Sequence, residues 1–204
     1  MVDRVKPATR AGHPGFGYLI IKRCIDLAIA IGIIAVLWWA LILVWALVKF
    51  TSPGPGIFAQ SRVGRNGRVF TCYKFRTMAK DTRDAGTHEV SAASVTRVGR
   101  FLRRTKLDEI PQVWNILRNE LSLVGPRPCL PVQTELVAAR QELGVLDIKG
   151  GITGWAQIKG VDMSDPRKLA VLDREYMEQR SLMLDLKIIL ATATGSGQGD
   201  KVGE

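Results

Sequence analysis

The sequence predicts an α+β protein, mostly helical, with an N-terminal hydrophobic membrane helix ahead of a small cytoplasmic domain. That domain should carry a short β-hairpin and interfacial amphipathic helices. Three observations predict it. An apolar run of helical length, Leu27 to Val48, contains no charge and no proline. Two strand-like runs flank a Gly-Arg-Asn-Gly turn. Several later segments show helical spacing of apolar residues.

The membrane segment comes first. Mean hydropathy is +0.08 although 24% of the residues are charged, so apolar and polar residues are segregated along the chain. Leu27–Val48 is long enough to cross the hydrocarbon core, and it begins too late and lacks a small-residue cleavage site for a removable signal peptide. Basic residues lie on both sides: Arg4, Lys6, Arg10, Lys22 and Arg23 before it, Lys49, Arg62, Arg65 and Arg68 after it. The positive-inside rule therefore assigns neither flank outside. A re-entrant helix with both ends cytoplasmic satisfies both flanks; an ordinary single span is the simpler alternative from hydropathy alone. The run is apolar all round, which argues against a helix lying flat on the surface.

Charge and cysteine usage narrow the setting. Net charge is +10, and through Lys106 there are 18 Lys and Arg against 5 Asp and Glu. This excess sits beside the apolar segment, where anionic lipid and phosphate ligands explain it better than nucleic acid. Cys24, Cys72 and Cys129 are odd in number and widely spaced, as expected of reduced thiols in the cytoplasm. His13 and His88 stand alone, so the pattern offers no zinc site, and any metal should be a hard ion held by carboxylates and phosphates.

The remaining elements follow in order. Thr51-Ser52-Pro53-Gly54-Pro55-Gly56 ends the first helix. Ile57–Ser61 and Arg68–Phe75 read as strands around the turn Gly64-Arg65-Asn66-Gly67. Asp81–Ala93 reads as a polar loop. Val98–Thr105 is a basic amphipathic helix suited to the headgroup level. A helix should run from Asp108 or Glu109 to Arg118 with Pro111 in its first turn. Further helices are expected over Leu130–Leu143, Pro166–Gln179 and Met183–Thr194, followed by a Gly-rich, flexible tail. The organisation is then a basic segment at 1–18, the membrane helix at 19–50, a main domain at 51–194 and the tail at 195–204.

Four motifs can carry chemistry. Asp108 and Glu109 are adjacent carboxylates at a helix start. Such a group can bind Mg²⁺ or attack phosphorus, although acidic residues also simply favour helix N-termini. Arg103, Arg104 and Lys106 nearby should keep a carboxylate ionised. In Gly125-Pro126-Arg127-Pro128, two prolines hold one arginine ready to grip a phosphate, or merely make a rigid turn. Tyr73-Lys74-Phe75-Arg76-Thr77-Met78 puts Lys74 and Arg76 on one face of a strand, for a diphosphate or for solvent. Gly151-Ile152-Thr153-Gly154-Trp155-Ala156-Gln157 permits a tight loop whose Trp155 could stack on a base or anchor at the interface. Asp173, Tyr176 and Asp185 are further polar candidates.

Together these segments resemble the bacterial sugar transferase family, the small monotopic phosphoglycosyl transferases. The matching pieces also include Lys22-Arg23 with Asp26, Ser52-Pro53-Gly54-Pro55, and Gln60 with Arg62 and Gly64, over roughly Tyr18 to Thr194. Two positions depart from the pattern. Trp38 and Trp39 stand where relatives often carry a helix-kinking Ser-Pro pair, and Gly150 stands where proline is common. The resemblance implies transfer of a sugar-1-phosphate from a UDP-sugar to undecaprenyl (polyprenyl) phosphate with release of UMP. This is the initiating step of glycoconjugate, exopolysaccharide or O-antigen assembly. It implies Asp108 as covalent nucleophile and Mg²⁺ ligand, Glu109 as its acidic partner, and Arg127 as a substrate-phosphate arginine. Lys74 and Arg103 match functional basic positions, and Gln60, Arg62, Arg76, Trp155, Asp173, Tyr176 and Asp185 are carried as substrate-binding candidates. The implied setting is the cytoplasmic face of the bacterial inner membrane, with anionic lipid and a homodimer as compatible partners. A non-catalytic membrane scaffold and a membrane-bound phosphohydrolase are the competing readings.

Overall fold

The computed structural model describes residues 15–80, 82 and 94–195. The basic segment before residue 15, nearly all of the loop at 81–93 and the tail from 196 lie outside the described residues.

Helix α1 spans Phe16–Thr51, well beyond the apolar run at its N-terminal end, and passes through Trp38 and Trp39 without interruption. At about 1.5 Å per residue it is on the order of 54 Å long, longer than a hydrocarbon core is thick. It stops where Ser52 turns extended ahead of Pro53, which cannot continue a helix. One stripe of α1 is docked along most of its length. Arg23, Asp26, Ala30, Ile33, Leu37, Leu41, Val44 and Val48 recur every three to four residues and are buried or half-buried. Ala30 and Ile33 pack on Val113, Ile116 and Leu121, and Val48 packs on Phe75 and Leu102. The opposite face, including Val36, Trp38, Trp39, Ile42 and Leu43, is bare.

Polar side chains fix the N-terminal half of that stripe. Arg23 donates to the carbonyls of Ile116 and Leu117 at 2.8 and 3.3 Å. The Asp26 carboxylate accepts from Ser122 Oγ and the Leu123 amide at 3.1 and 3.0 Å, and is only 3% exposed. Lys22 Nζ reaches Asp185 at 2.7 Å. The basic pair that reads as a membrane flank is thus turned inward as an intramolecular clasp.

Strands β1 (Ile57–Val63) and β2 (Val69–Phe75) form the expected antiparallel hairpin, with Ile57 opposite Phe75 and Val63 opposite Val69. Asn66 and Gly67 close it at positive φ, which suits those two residue types. Helix α2 (Arg97–Thr105) starts on a Thr96 cap, whose Oγ1 accepts from the Gly99 amide at 2.9 Å. Lys106 then adopts a left-handed conformation.

The next segment differs from the single helix expected over 108–118. Leu107–Gln112 is a 3₁₀ turn, and only Val113–Leu117 (α3) is α-helical. The left-handed Lys106 and Pro111, which lacks an N–H and crowds the preceding turn, favour the tighter winding.

A second sheet pairs β3 (Leu121–Val124) with β4 (Gly150–Thr153) in parallel, where the sequence suggests a loop. Four-residue strands joined across 25 residues leave little local periodicity to read. Helix α4 is Thr134–Glu142, shorter than the expected 130–143 because Leu130–Gln133 forms a turn around Pro131. Helix α5 is the short Trp155–Ile158, α6 is Pro166–Gln179 as expected, and α7 is Leu182–Ala193. Helices α4 and α6 enclose the largest apolar cluster, around Leu136, Leu146, Leu169 and Ala170.

Candidate active site

The hairpin, the 3₁₀ turn, the loop after β3 and helices α1, α2 and α7 surround a cavity of about 690 Å³. Its polar wall is built from short elements whose geometry the sequence dictates locally. Alternation along β2 turns Lys74 toward the turn that carries Asp108 and Glu109. Lys74 Nζ donates to Glu109 Oε1 at 2.9 Å, and Arg127 Nη2 donates to the same oxygen at 2.5 Å. Glu109 therefore gathers two cations beside Asp108. These side chains are 9 to 17% exposed, so the pairs are shielded from bulk water.

Arg127 is placed by two glycines. A Cβ on Gly151 would lie 2.1 Å from the Gly125 amide nitrogen, and one on Gly125 would lie 2.6 Å from the Lys149 carbonyl oxygen. Only glycine lets β3 and β4 meet this closely, and Arg127 follows two residues later. Arg140 Nη1 donates to the Arg127 carbonyl at 2.8 Å. Arg140 is held in turn by Asp173, whose Oδ2 accepts from its Nε and Nη2 at 2.9 and 2.6 Å. Both are almost completely buried.

Arg76 has its own cradle. Its Nη2 donates to the Ser52 carbonyl and Oγ at 2.8 and 2.7 Å. Gly54, at φ +113, has no Cβ to collide with its Nη1. Arg76 Nε and Nη1 have no hydrogen-bond partner among the described residues. Gln60 Oε1 accepts from Arg62 Nε at 2.9 Å and Nη2 at 2.5 Å, while Arg62 Nη1 donates to the Pro128 carbonyl at 2.9 Å, bracing the Arg127 loop from the other side.

Burial pushes the Asp108 carboxyl above the usual carboxylate range, and the Glu109 charge adds to this; Lys74, Arg103 and Arg127 pull the other way. The basic neighbours do pull the carboxyl down, as the sequence suggests, but desolvation is the larger influence and the net direction is upward.

Gln60, Arg62, Lys74, Arg76, Arg103, Asp108, Glu109 and Arg127 all line the cavity. Trp155, Asp173, Tyr176 and Asp185 do not. Lys159 Nζ lies 4.6 Å from the centre of the Trp155 ring. Tyr176 donates to Asp185 Oδ1 at 2.7 Å, and Asp185 Oδ2 accepts from Tyr18 at 3.0 Å and from Lys22, which joins α6 and α7 to the start of α1. Asp173 reaches the cavity only through Arg140. Sequence reasoning missed Arg140, and also Ile29, Ile33, Thr153, Gln157, Ile189 and Thr192 in the wall. Arg140 left a signal: it lies one turn from Leu136 on the buried face of α4, while Asp173 lies on the apolar stripe of α6, and opposite charges on two facing apolar stripes predict a pair.

A carboxylate pair flanked by Lys74 and Arg127 thus lines a cavity beside a long helix whose outer face is apolar and bare. Residues 17–198 match the bacterial sugar transferase family, and the chain belongs to that family. It is 39% identical to the sugar transferase EpsL of Bacillus subtilis, over 85% of this chain and 86% of that one. It is 40% identical to an undecaprenyl-phosphate glucose phosphotransferase of Komagataeibacter xylinus, over 84% of this chain and 35% of that one. It is 37% identical to the UDP-glucose:undecaprenyl-phosphate glucose-1-phosphate transferase of Escherichia coli, over 85% and 39%. The chain thus spans most of the first relative and well under half of the other two.

Proposed function

We propose that this enzyme moves a sugar-1-phosphate from a UDP-sugar to undecaprenyl phosphate, with Asp108 as a covalent nucleophile. The observation that carries the proposal is the Asp108–Glu109 pair, bracketed by Lys74 and Arg127 in a cavity against α1. An Asp108 oxygen attacks the sugar-bearing phosphorus. The bond from that phosphorus to the bridging oxygen breaks, and UMP leaves with the oxygen. An oxygen of the lipid phosphate then attacks the same phosphorus and returns Asp108 as a carboxylate. Lys74, Arg103 and Arg127 hold the diphosphate and offset the repulsion between it and the attacking anion. Glu109 keeps Lys74 and Arg127 in place.

The donor set suits Mg²⁺. Among the described residues no group of three or more His, Cys, Asp and Glu side chains could form a cage. Mg²⁺ is commonly bound by one or two carboxylates together with substrate phosphates. Asp108 is the better ligand, since Glu109 Oε1 already serves two cations. When bound, the ion would neutralise charge on the diphosphate.

The docked stripe on α1 supports a helix with both ends on the cytoplasmic side. A helix crossing upright would draw the attached polar domain into hydrocarbon. With the domain covering one face and lipid the other, an apolar helix needs no polar face of its own. This replaces the objection to a shallow helix raised by its uniform hydropathy.

The test is a panel of UDP-sugars with Mg²⁺, read by intact mass and by UMP release, with and without undecaprenyl phosphate. The expected results are a phosphosugar adduct on wild type, catalytic turnover only with the lipid, and neither in Asp108→Asn. Activity surviving in Asp108→Asn sinks the nucleophile, and lipid-independent release of sugar phosphate points to hydrolysis. For the helix, cysteines placed singly at Phe16 and Thr51, in a Cys24→Ser background, should both label from the cytoplasmic side only. Labelling of either from the opposite side refutes the arrangement.

A further inference from the structure

The cavity has a second wall that phosphate chemistry does not use. Ile29 and Ile33 of α1 face it one turn apart, Ile189 and Ala193 of α7 face it one turn apart, and Leu123 and Ile152 from the small parallel sheet form its floor. α1 and α7 are tied at one end, where Lys22 and Tyr18 meet Asp185. From that tie the two helices flank the cavity. Their outward faces are bare and apolar: Ile21 and Ile25 on α1, and Met183, Leu186 and Leu190 on α7. The apolar wall therefore continues outward onto the surface that bilayer lipid would cover. Thr153 and Thr192, which share a hydroxyl–hydroxyl hydrogen bond of 2.6 Å, line the same cavity as Arg127 and the carboxylate pair.

We propose that the gap between α1 and α7 is the lateral entry and seat for the first isoprene units of the acceptor lipid. This rests on the acceptor being a polyprenyl phosphate. The chemistry of the wall selects this occupant over the donor. A sugar or a uridine placed against Ile29, Ile33 and Ile189 would lose hydrogen bonds to water and gain none. A hydrocarbon chain loses nothing there, and its phosphate end emerges among Arg127, Lys74 and Asp108. Moving a tail from bilayer to groove exchanges one apolar surrounding for another, so the hydrophobic effect supplies little. Packing against two helices instead fixes the direction from which the lipid phosphate approaches. The seat orients the second step and contributes little affinity. The donor diphosphate and the isoprenoid then occupy opposite walls and can be perturbed separately.

The test fills the seat from residues already exposed, so that no core packing is lost. Ala193→Trp and Ile29→Trp are made singly, and each half-reaction is followed. The first is adduct formation from UDP-sugar and Mg²⁺ without acceptor, which also reports that the variant is folded. The second is discharge of preformed adduct by undecaprenyl phosphate in nanodiscs. The expected result is discharge slowed tenfold or more in both variants, with adduct still formed. Discharge at the wild-type rate in both variants overturns the proposal. A fall in adduct formation matching the fall in discharge also overturns it, since the wall would then serve the donor. Absence of any adduct on wild type would instead strike the nucleophile assignment, which separates the two failures.

Discussion

Replacing Glu109 by Gln removes a charge that Lys74 and Arg127 share, while nearly preserving shape. The two hydrogen bonds to Glu109 Oε1 are 2.9 and 2.5 Å, and the groups are largely buried. Charge-assisted hydrogen bonds are worth about 1.5–3 kcal/mol each. The amide oxygen still accepts from one donor, so a net loss of about 2 kcal/mol in positioning is expected, roughly a 30-fold slower first step. A second effect has a definite sign. Glu109 raises the Asp108 carboxyl, while Lys74, Arg103 and Arg127 lower it. The reactive form is the carboxylate, so activity rises with pH through the Asp108 pKa, which burial holds above the ordinary range. Removing the Glu109 charge shifts that acid limb to lower pH, and Lys74→Met shifts it to higher pH. The assay is single-turnover UMP release over an acid-to-neutral pH series. A Gln variant with the wild-type rate and an unmoved or upward-shifted limb refutes the reasoning.

Three further perturbations probe the scaffold. Asp26→Ala strips the acceptor from Ser122 and from the buried Leu123 amide, and should destabilise the fold by about 3 kcal/mol or more in thermal unfolding. A loss below about 1 kcal/mol would show that apolar packing alone docks α1. Asp173→Asn leaves the Arg140 charge buried without a carboxylate and should cost about 3–5 kcal/mol, whereas Arg140→Met with Asp173→Leu should recover most of that stability. The double variant should still turn over more slowly, because the Arg127 carbonyl loses its donor. Gly151→Ala places a methyl group against the Gly125 nitrogen, so adduct formation should fall sharply as the Arg127 loop shifts. Wild-type kinetics would contradict the close approach of β3 and β4.

Much of the site was readable residue by residue. Lys74, Asp108, Glu109 and Arg127 each sit in a short motif, and alternation or a proline-bounded turn sets the local direction of each side chain. Elements with strong local signals also appeared where expected: the hairpin around Asn66-Gly67, α2 behind its Thr96 cap, and α6 behind Asp165 and Pro166. The small parallel sheet was not legible, because its strands are four residues long, its glycines carry no pattern, and its pairing is non-local. Asp173, Tyr176 and Asp185 read as polar candidates for substrate, yet their partners lie on other elements, where local spacing cannot reach.

Local chemistry thus specified which groups are available and how each short segment points, since turn propensity, periodicity and capping act within a few residues. Assembly specified which groups meet. Asp173 was committed to Arg140, Lys22 and Arg23 were turned from lipid toward the domain, and burial raised the Asp108 carboxyl against the pull of its basic neighbours. Each of these depends on desolvation and on contacts between segments far apart in the chain, and both arise only when the layers close.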